Sequence, residues 1–112
     1  MSSTQTAAIT AVHGWLPPDV LSNADLEKLV DTNDEWIRTR TGISERRILK
    51  DPTKATSDMV AKVIEGLCEQ RGMGAEDIDL VIVATVTPDV FFPSTAQLTC
   101  HKSGATIAWG FD

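Results

Sequence analysis

The chain has 112 residues, a net charge of -6, 42% hydrophobic side chains and 23% charged ones. That length holds one domain or part of one, with enough apolar side chain for a buried core. The acidic balance excludes a general nucleic-acid binder, which wants a basic surface, and no apolar run approaches the ~18 residues of a membrane span.

In chain order, residues 1–6 are polar and are expected to be disordered. They lack the basic and apolar regions of a signal peptide. Ala7 to Val12 is short, apolar and partly β-branched, and predicts a strand ended by Gly14 and Pro17-Pro18. Ser22 or Asn23 caps a short helix carrying Leu26, Leu29 and Val30. Asp31-Thr32-Asn33 is a second cap cluster. Asp34 and Glu35 then fill a first turn, where the helix dipole favours acids, and Gly42 stops that helix. Arg47-Ile48-Leu49 is a weak strand signal, and Asp51-Pro52 is a turn.

The clearest helix runs from about Ser57 to Arg71. Met59, Val60, Val63, Ile64, Leu67 and Cys68 form one buried stripe, Asp58 and Lys62 pair on the wet side, and Gly72 is the C-cap. After a turn at 75–78, Leu80 to Ala84 is an unbroken apolar run, read as a strand buried on both faces. A loop from Thr85 to Pro93 leads to a helix capped by Ser94 that ends near Ser103-Gly104. Ala105 to Phe111 reads as a further strand. Strand, helix and strand in this order make a βαβ unit with parallel strands and a right-handed crossover.

Two cysteines, Cys68 and Cys100, have no paired spacing with histidines and read as packed, reduced helix residues. With no export signal, this points to a cytoplasmic protein. His13 reads as a turn residue and His101 as a solvated helix-end residue. No metal site is expected.

The run Asp31-Thr-Asn-Asp-Glu-Trp-Ile-Arg-Thr-Arg-Thr-Gly-Ile-Ser-Glu-Arg-Arg47 stands apart. It sets Trp36 among Thr32, Thr39 and Thr41, with Arg38, Arg40, Arg46 and Arg47 close behind. A flat indole and rigid guanidinium forks suit a ligand that is part ring and part phosphate, such as a nucleotide. A core tryptophan on a short amphipathic helix is the plainer alternative.

With the stretches 21–47, 55–59, 77–88, Phe92-Pro-Ser-Thr-Ala96 and Gly110-Phe-Asp112 taken together, the chain resembles the N-terminal portion of β-ketoacyl-acyl-carrier-protein synthase III. The resemblance covers most of the chain from Ala7 onward. It implies an α/β chain, residues 7–112 being part of the first half of a thiolase-like fold, a layered αβαβα arrangement around a mostly parallel sheet. It implies a decarboxylative condensation of a short acyl-CoA with malonyl-acyl-carrier protein in a homodimer, with the CoA thioester as substrate and no cofactor. No nucleic-acid or membrane partner is implied.

Residue by residue, Trp36 matches a tryptophan that stacks on the CoA adenine. Arg40 matches an arginine at the nucleotide end, and Thr32 a nearby hydroxyl contact. Phe92 matches a phenylalanine that crosses the dimer interface and closes the partner's acyl pocket; a local core phenylalanine is the alternative. Arg38, Arg46 and Arg47 are read as solvated or structural. The family's nucleophilic cysteine follows Phe-Asp by a few residues, and its catalytic histidine and asparagine lie in the second half. No catalytic residue is therefore expected within residues 1–112, and the chain reads as a fragment. The family usually has leucine where Ser103 stands, which predicts altered packing at that helix end. The competing functions are a synthase III-like enzyme of secondary metabolism and a non-catalytic CoA-binding or dimerisation module.

Overall fold

The computed structural model describes residues 4–112. Its contacts divide into two units: Leu16–Lys54, and the residues up to Trp15 together with Ala55–Asp112.

In the unit Leu16–Lys54, β1 (Asp19–Ser22) pairs antiparallel with β2 (Glu45–Ile48), from Asp19 opposite Ile48 to Ser22 opposite Glu45. The weak strand signal at 47–49 belongs to β2, which begins two residues earlier. Ser22 caps α1 (Asn23–Leu26): its hydroxyl accepts from the Asp25 amide at 3.1 Å and donates to the Asp25 carboxylate at 2.6 Å. That Ser22 bond, followed by Lys28, lowers the Asp25 pKa to about 2. Leu29 and Val30 lie beyond α1 and are exposed, because the helix stops after one turn.

The helix α2 (Asp34–Thr41) starts at Asn33, whose side chain accepts from the Trp36 amide at 2.8 Å. Glu27 accepts from the Asp34 amide at 2.7 Å, satisfying another first-turn donor. Gly42 closes α2 at φ 72°, a left-handed conformation that favours glycine.

Asn23 ties this unit together. It is 1% exposed. Its Nδ2 donates to the Asp34 carboxylate and to the Ile43 carbonyl, both at 2.8 Å, and its Oδ1 accepts from Arg46 at 2.6 Å. One buried amide therefore holds the start of α2, the chain just past its end, and β2.

In the other unit, α3 (Thr56–Arg71) begins where the Asp58 carboxylate accepts from the Ala55 amide at 2.9 Å, and it ends at Gly72. A 3-10 turn (Ala75–Asp77) leads into β3 (Leu80–Ile82). The chain then crosses through α4 (Thr95–Ser103) to β4 (Trp109–Phe111). β3 and β4 pair in parallel, Leu80 opposite Trp109 and Ile82 opposite Phe111, so the expected βαβ unit is present. Ile64, Val81, Val83, Ala96, Cys100 and Ala105 form its buried core. Gly110 permits β4 to lie against α4: a Cβ there would sit 3.0 Å from the Ala96 carbonyl carbon and 3.1 Å from the Gln97 nitrogen.

Several expectations are corrected. No strand forms at 7–12: the segment carries no regular structure, and Ile9 and Val12 are exposed. Its β-branched side chains have no paired strand to lie beside among the described residues. Residues 1–3, part of the expected disordered start, fall outside the described residues; Thr4 to Thr6 are exposed and without regular structure. The run from Leu80 is buried on one face only. Val81 and Val83 face the helices, whereas Leu80 and Ile82 are exposed. The final strand covers only 109–111, since Ala105 to Ala108 turns, with the Ala108 amide donating to the Ala105 carbonyl at 3.2 Å. Lys62 pairs with Glu65 at 2.6 Å, and Asp58 pairs instead with Lys102 at 2.7 Å. Lys62 and Glu65 are three positions apart, a spacing that, like four, puts both side chains on one face of the helix. At the departure from the family pattern, Ser103 is half-buried and α4 closes on Gly104, whose amide donates to the Cys100 carbonyl at 3.1 Å.

Candidate nucleotide rim and apolar loop

The first turn of α2 fixes Trp36 through Asn33, and one turn later Arg40 lies on the same face. The Arg40 guanidinium sits 4.6 Å above the centroid of the Trp36 ring. Such an exposed cation–π contact contributes about 0.5–1 kcal/mol. The indole is 53% exposed. Thr32 lies two residues before α2, half-buried, on the chain entering the helix. The pair sets a cation over an aromatic surface, two groups that suit a phosphate and a base.

Five other polar side chains of the motif are committed elsewhere. The Thr39 and Thr41 hydroxyls donate to the carbonyls of Glu35 and Ile37, one turn back, at 2.6 and 2.7 Å. Arg38 lies 3.7 Å from Asp34. Arg46 donates to the Leu21 carbonyl and to Asn23, and Arg47 to the Pro18 carbonyl at 3.3 Å. Of the four arginines, Arg40 is the one stacked on the tryptophan.

Phe92 belongs to the other unit, on the loop between β3 and α4. It is 91% exposed, and Phe91 and Val86 beside it are exposed too, so Phe92 is not a local core residue here. The base of the loop is held by polar groups. The Thr56 hydroxyl donates to the Thr87 carbonyl at 2.8 Å, and the Ser57 amide donates to the Asp89 carboxylate at 2.9 Å.

At the end of β4 the Asp112 carboxylate accepts from the amides of Thr95 and Ala96, both at 2.8 Å, at the start of α4. Desolvation pushes its pKa up, but the donors at Ala96 and Thr95 outweigh it, and the net shift is downward. Burial pushes the thiols of Cys68 and Cys100 upward, and the acidic neighbours Glu76 and Asp77 add to the shift of Cys68. Both are packed helix residues, as the sequence predicts. The His13 ring packs against Gly66 and its Nδ1 lies 3.3 Å from Gln70, while His101 is exposed in the last turn of α4. Among the described residues, no group of three or more His, Cys, Asp or Glu is placed to hold a metal. No helix there is long and apolar enough to cross a membrane.

Sequence reasoning missed two clusters, Asn23 with Arg46, and Ser57 with Asp89 and Lys102. Their only sequence signal is an asparagine beside a cap serine and an aspartate within a loop.

No family model matches the chain. The β-ketoacyl-[acyl-carrier-protein] synthase III of Chlorobium chlorochromatii is 63% identical over 106 residues, which are 95% of this chain and 32% of that protein. The crystal structure of 3-oxoacyl-[acyl-carrier-protein] synthase III from Aquifex aeolicus superposes with a TM-score of 0.79 at 45% identity, over 88% of this chain and 31% of that one. The chain is homologous to β-ketoacyl-acyl-carrier-protein synthase III. It spans about a third of the length of the curated relatives it matches. The priming β-ketosynthase of the R1128 polyketide pathway shares the backbone at a TM-score of 0.78 and 36% identity, over 88% of this chain and 29% of that one. The synthase III homology accounts for the α/β architecture with its parallel pair, which is part of a thiolase-like fold.

Proposed function

We propose that the protein carrying this chain is a β-ketoacyl-acyl-carrier-protein synthase III, a cytoplasmic homodimer that initiates type II fatty-acid synthesis. Its substrates are a short acyl-CoA, acetyl-CoA first, and malonyl-acyl-carrier protein. A cysteine thiolate takes the acyl group and CoA thiol leaves. The malonyl group then loses carbon dioxide, and the resulting carbanion attacks the acyl thioester, releasing the thiolate and 3-oxoacyl-acyl-carrier protein. Oxyanion donors stabilise the charge that develops in each step. These groups lie outside residues 1–112 in this reading, and no cofactor takes part.

Within these residues Trp36 stacks on the adenine, Arg40 meets the phosphates and Thr32 adds a hydroxyl contact. Phe92 projects into a partner subunit and closes its acyl pocket. The observation that carries the reading is the 63% identity to a synthase III across nearly the whole chain. The exposed Trp36–Arg40 pair supports the nucleotide role.

A second reading, priming of a secondary-metabolite pathway, draws on the likeness to the R1128 priming ketosynthase at 36% identity. The higher identity to fatty-acid synthases favours the first. The test is the purified complete protein with radiolabelled acyl-CoAs and malonyl-acyl-carrier protein. Label in 3-oxobutyryl-acyl-carrier protein is expected. Absence of condensation with every acyl donor would overturn both enzyme readings and leave a CoA-binding or dimerisation module.

A further inference from the structure

The loop that presents Phe91 and Phe92 is held at its base by a polar network that spans three elements. Asp89, in the loop, is the centre of it. Its carboxylate accepts from the Ser57 amide at 2.9 Å and from the Ser57 hydroxyl. The Lys102 ammonium, near the end of α4, donates to that same hydroxyl oxygen at 2.7 Å and to the Asp58 carboxylate at 2.7 Å. It also stands 4.0 Å from the Asp89 carboxylate.

The direction of these bonds is fixed by the groups themselves. An ammonium has only donors, so the Ser57 oxygen must accept from it. The single hydroxyl proton of Ser57 is then left for Asp89. Ser57 is fully buried and the Asp89 side chain is 9% exposed. A carboxylate so enclosed needs a compensating charge or donors, and Lys102 is the cation set against it. The loop tip has no apolar anchor of its own, since Val86, Val90, Phe91 and Phe92 are all exposed. Polar contacts therefore hold the loop.

We propose that Lys102 is a positioning residue for this loop: through Ser57 it fixes Asp89, and so sets how Phe91 and Phe92 are presented to a second copy of the chain. The proposal rests on the dimer-and-pocket reading of Phe92 given above. Lys102 touches no substrate; it acts on selectivity through the phenylalanines.

The test uses the complete protein. Lys102→Met keeps the aliphatic stem and removes the charge and the donors, while Lys102→Arg keeps both. In Lys102→Met, hydrogen exchange of the bonded loop amides, Thr87 and Asp89, should quicken about tenfold or more, the scale of one charged hydrogen bond lost. Amides of 34–41 should be unchanged, and Lys102→Arg should restore much of the protection. The ratio of kcat/KM for longer over shorter acyl-CoAs should rise as it does in Phe92→Ala. The double variant should shift that ratio no further than Phe92→Ala alone, because both changes act on one element.

Unchanged exchange at the Thr87 and Asp89 amides in Lys102→Met overturns the proposal. So does exchange that quickens evenly along the chain, which would make Lys102 a general stabiliser. Additive shifts in the double variant overturn it too. If Lys102→Met does not fold, Asp89→Asn carries the same measurements with the same outcomes. If the wild type condenses no acyl-CoA, it is the function reading that fails. Hydrogen exchange and dimer dissociation, read by sedimentation, then decide the role of Lys102: a loosened loop with a weakened dimer supports it, and a loosened loop with an unchanged dimer overturns it.

Discussion

Replacing Asn23 with alanine should loosen α2 at both ends at once. The side chain makes three hydrogen bonds: to the Asp34 carboxylate, to the Ile43 carbonyl and from Arg46. Bonds to charged groups contribute about 1.5–3 kcal/mol and a neutral one about 0.5–1.5 kcal/mol. Asp34 is half exposed and can recover water, so the low end of each range applies. The expected loss is about 3–4 kcal/mol. Local opening then becomes easier by about two to three orders of magnitude, at 1.4 kcal/mol per factor of ten. Hydrogen exchange at the Ile37 and Gly42 amides, which bond within α2 to the Asn33 and Arg38 carbonyls, reads this directly. In the complete protein the same variant should raise KM for acyl-CoA, because α2 carries Trp36 and Arg40, the proposed nucleotide contacts. A change in exchange below about tenfold would refute the idea that Asn23 brackets the helix.

Asp112 predicts an acid-sensitive contribution to the strand–helix contact. Its pKa is lowered in the folded chain, so its stabilisation is complete above the unfolded value of about 3.9 and is lost as pH falls through the folded value. Melting temperature against pH for wild type and Asp112→Asn should show a gap at neutral pH that closes in acid; a gap constant down to pH ~2 would contradict this. The thiols of Cys68 and Cys100 are pushed up by burial, so neither should act as a nucleophile. The 112 residues mixed with radiolabelled acetyl-CoA should carry no label after a denaturing gel, and label on either cysteine would overturn their reading as packing residues.

What the sequence made legible was mostly local. The caps at Asn33 and Ser94, and the glycines Gly42, Gly72 and Gly104, bound helices by chemistry that acts within a few residues. The βαβ order of β3, α4 and β4 was readable because hydrophobic runs and punctuation alternate there. The strand β1 was not, since its partner β2 lies about 25 residues on and Pro17-Pro18 reads as a stop. The Ser57–Asp89–Lys102 network joins residues 32 and 45 positions apart, and no spacing rule reaches that far. Trp36 and Arg40 were singled out through the family resemblance and not through their spacing, although four residues make about one helical turn. Their stacking at 4.6 Å follows from that spacing, whereas the commitment of Arg46 to Asn23 does not.

The most direct test of the nucleotide rim compares acyl-CoA with acyl-pantetheine in the complete protein, for wild type, Trp36→Ala and Arg40→Ala. Contacts to the nucleotide lie far from the reacting thioester and act equally on ground and transition states. Their loss should raise KM and leave kcat nearly unchanged. Each variant should lose about 1–3 kcal/mol of acyl-CoA binding, roughly five- to 150-fold in KM. The Arg40 variant should also become less sensitive to salt. Acyl-pantetheine, which lacks the nucleotide, should respond to neither change. Equal losses with both substrates would make Trp36 and Arg40 structural residues and contradict the nucleotide assignment.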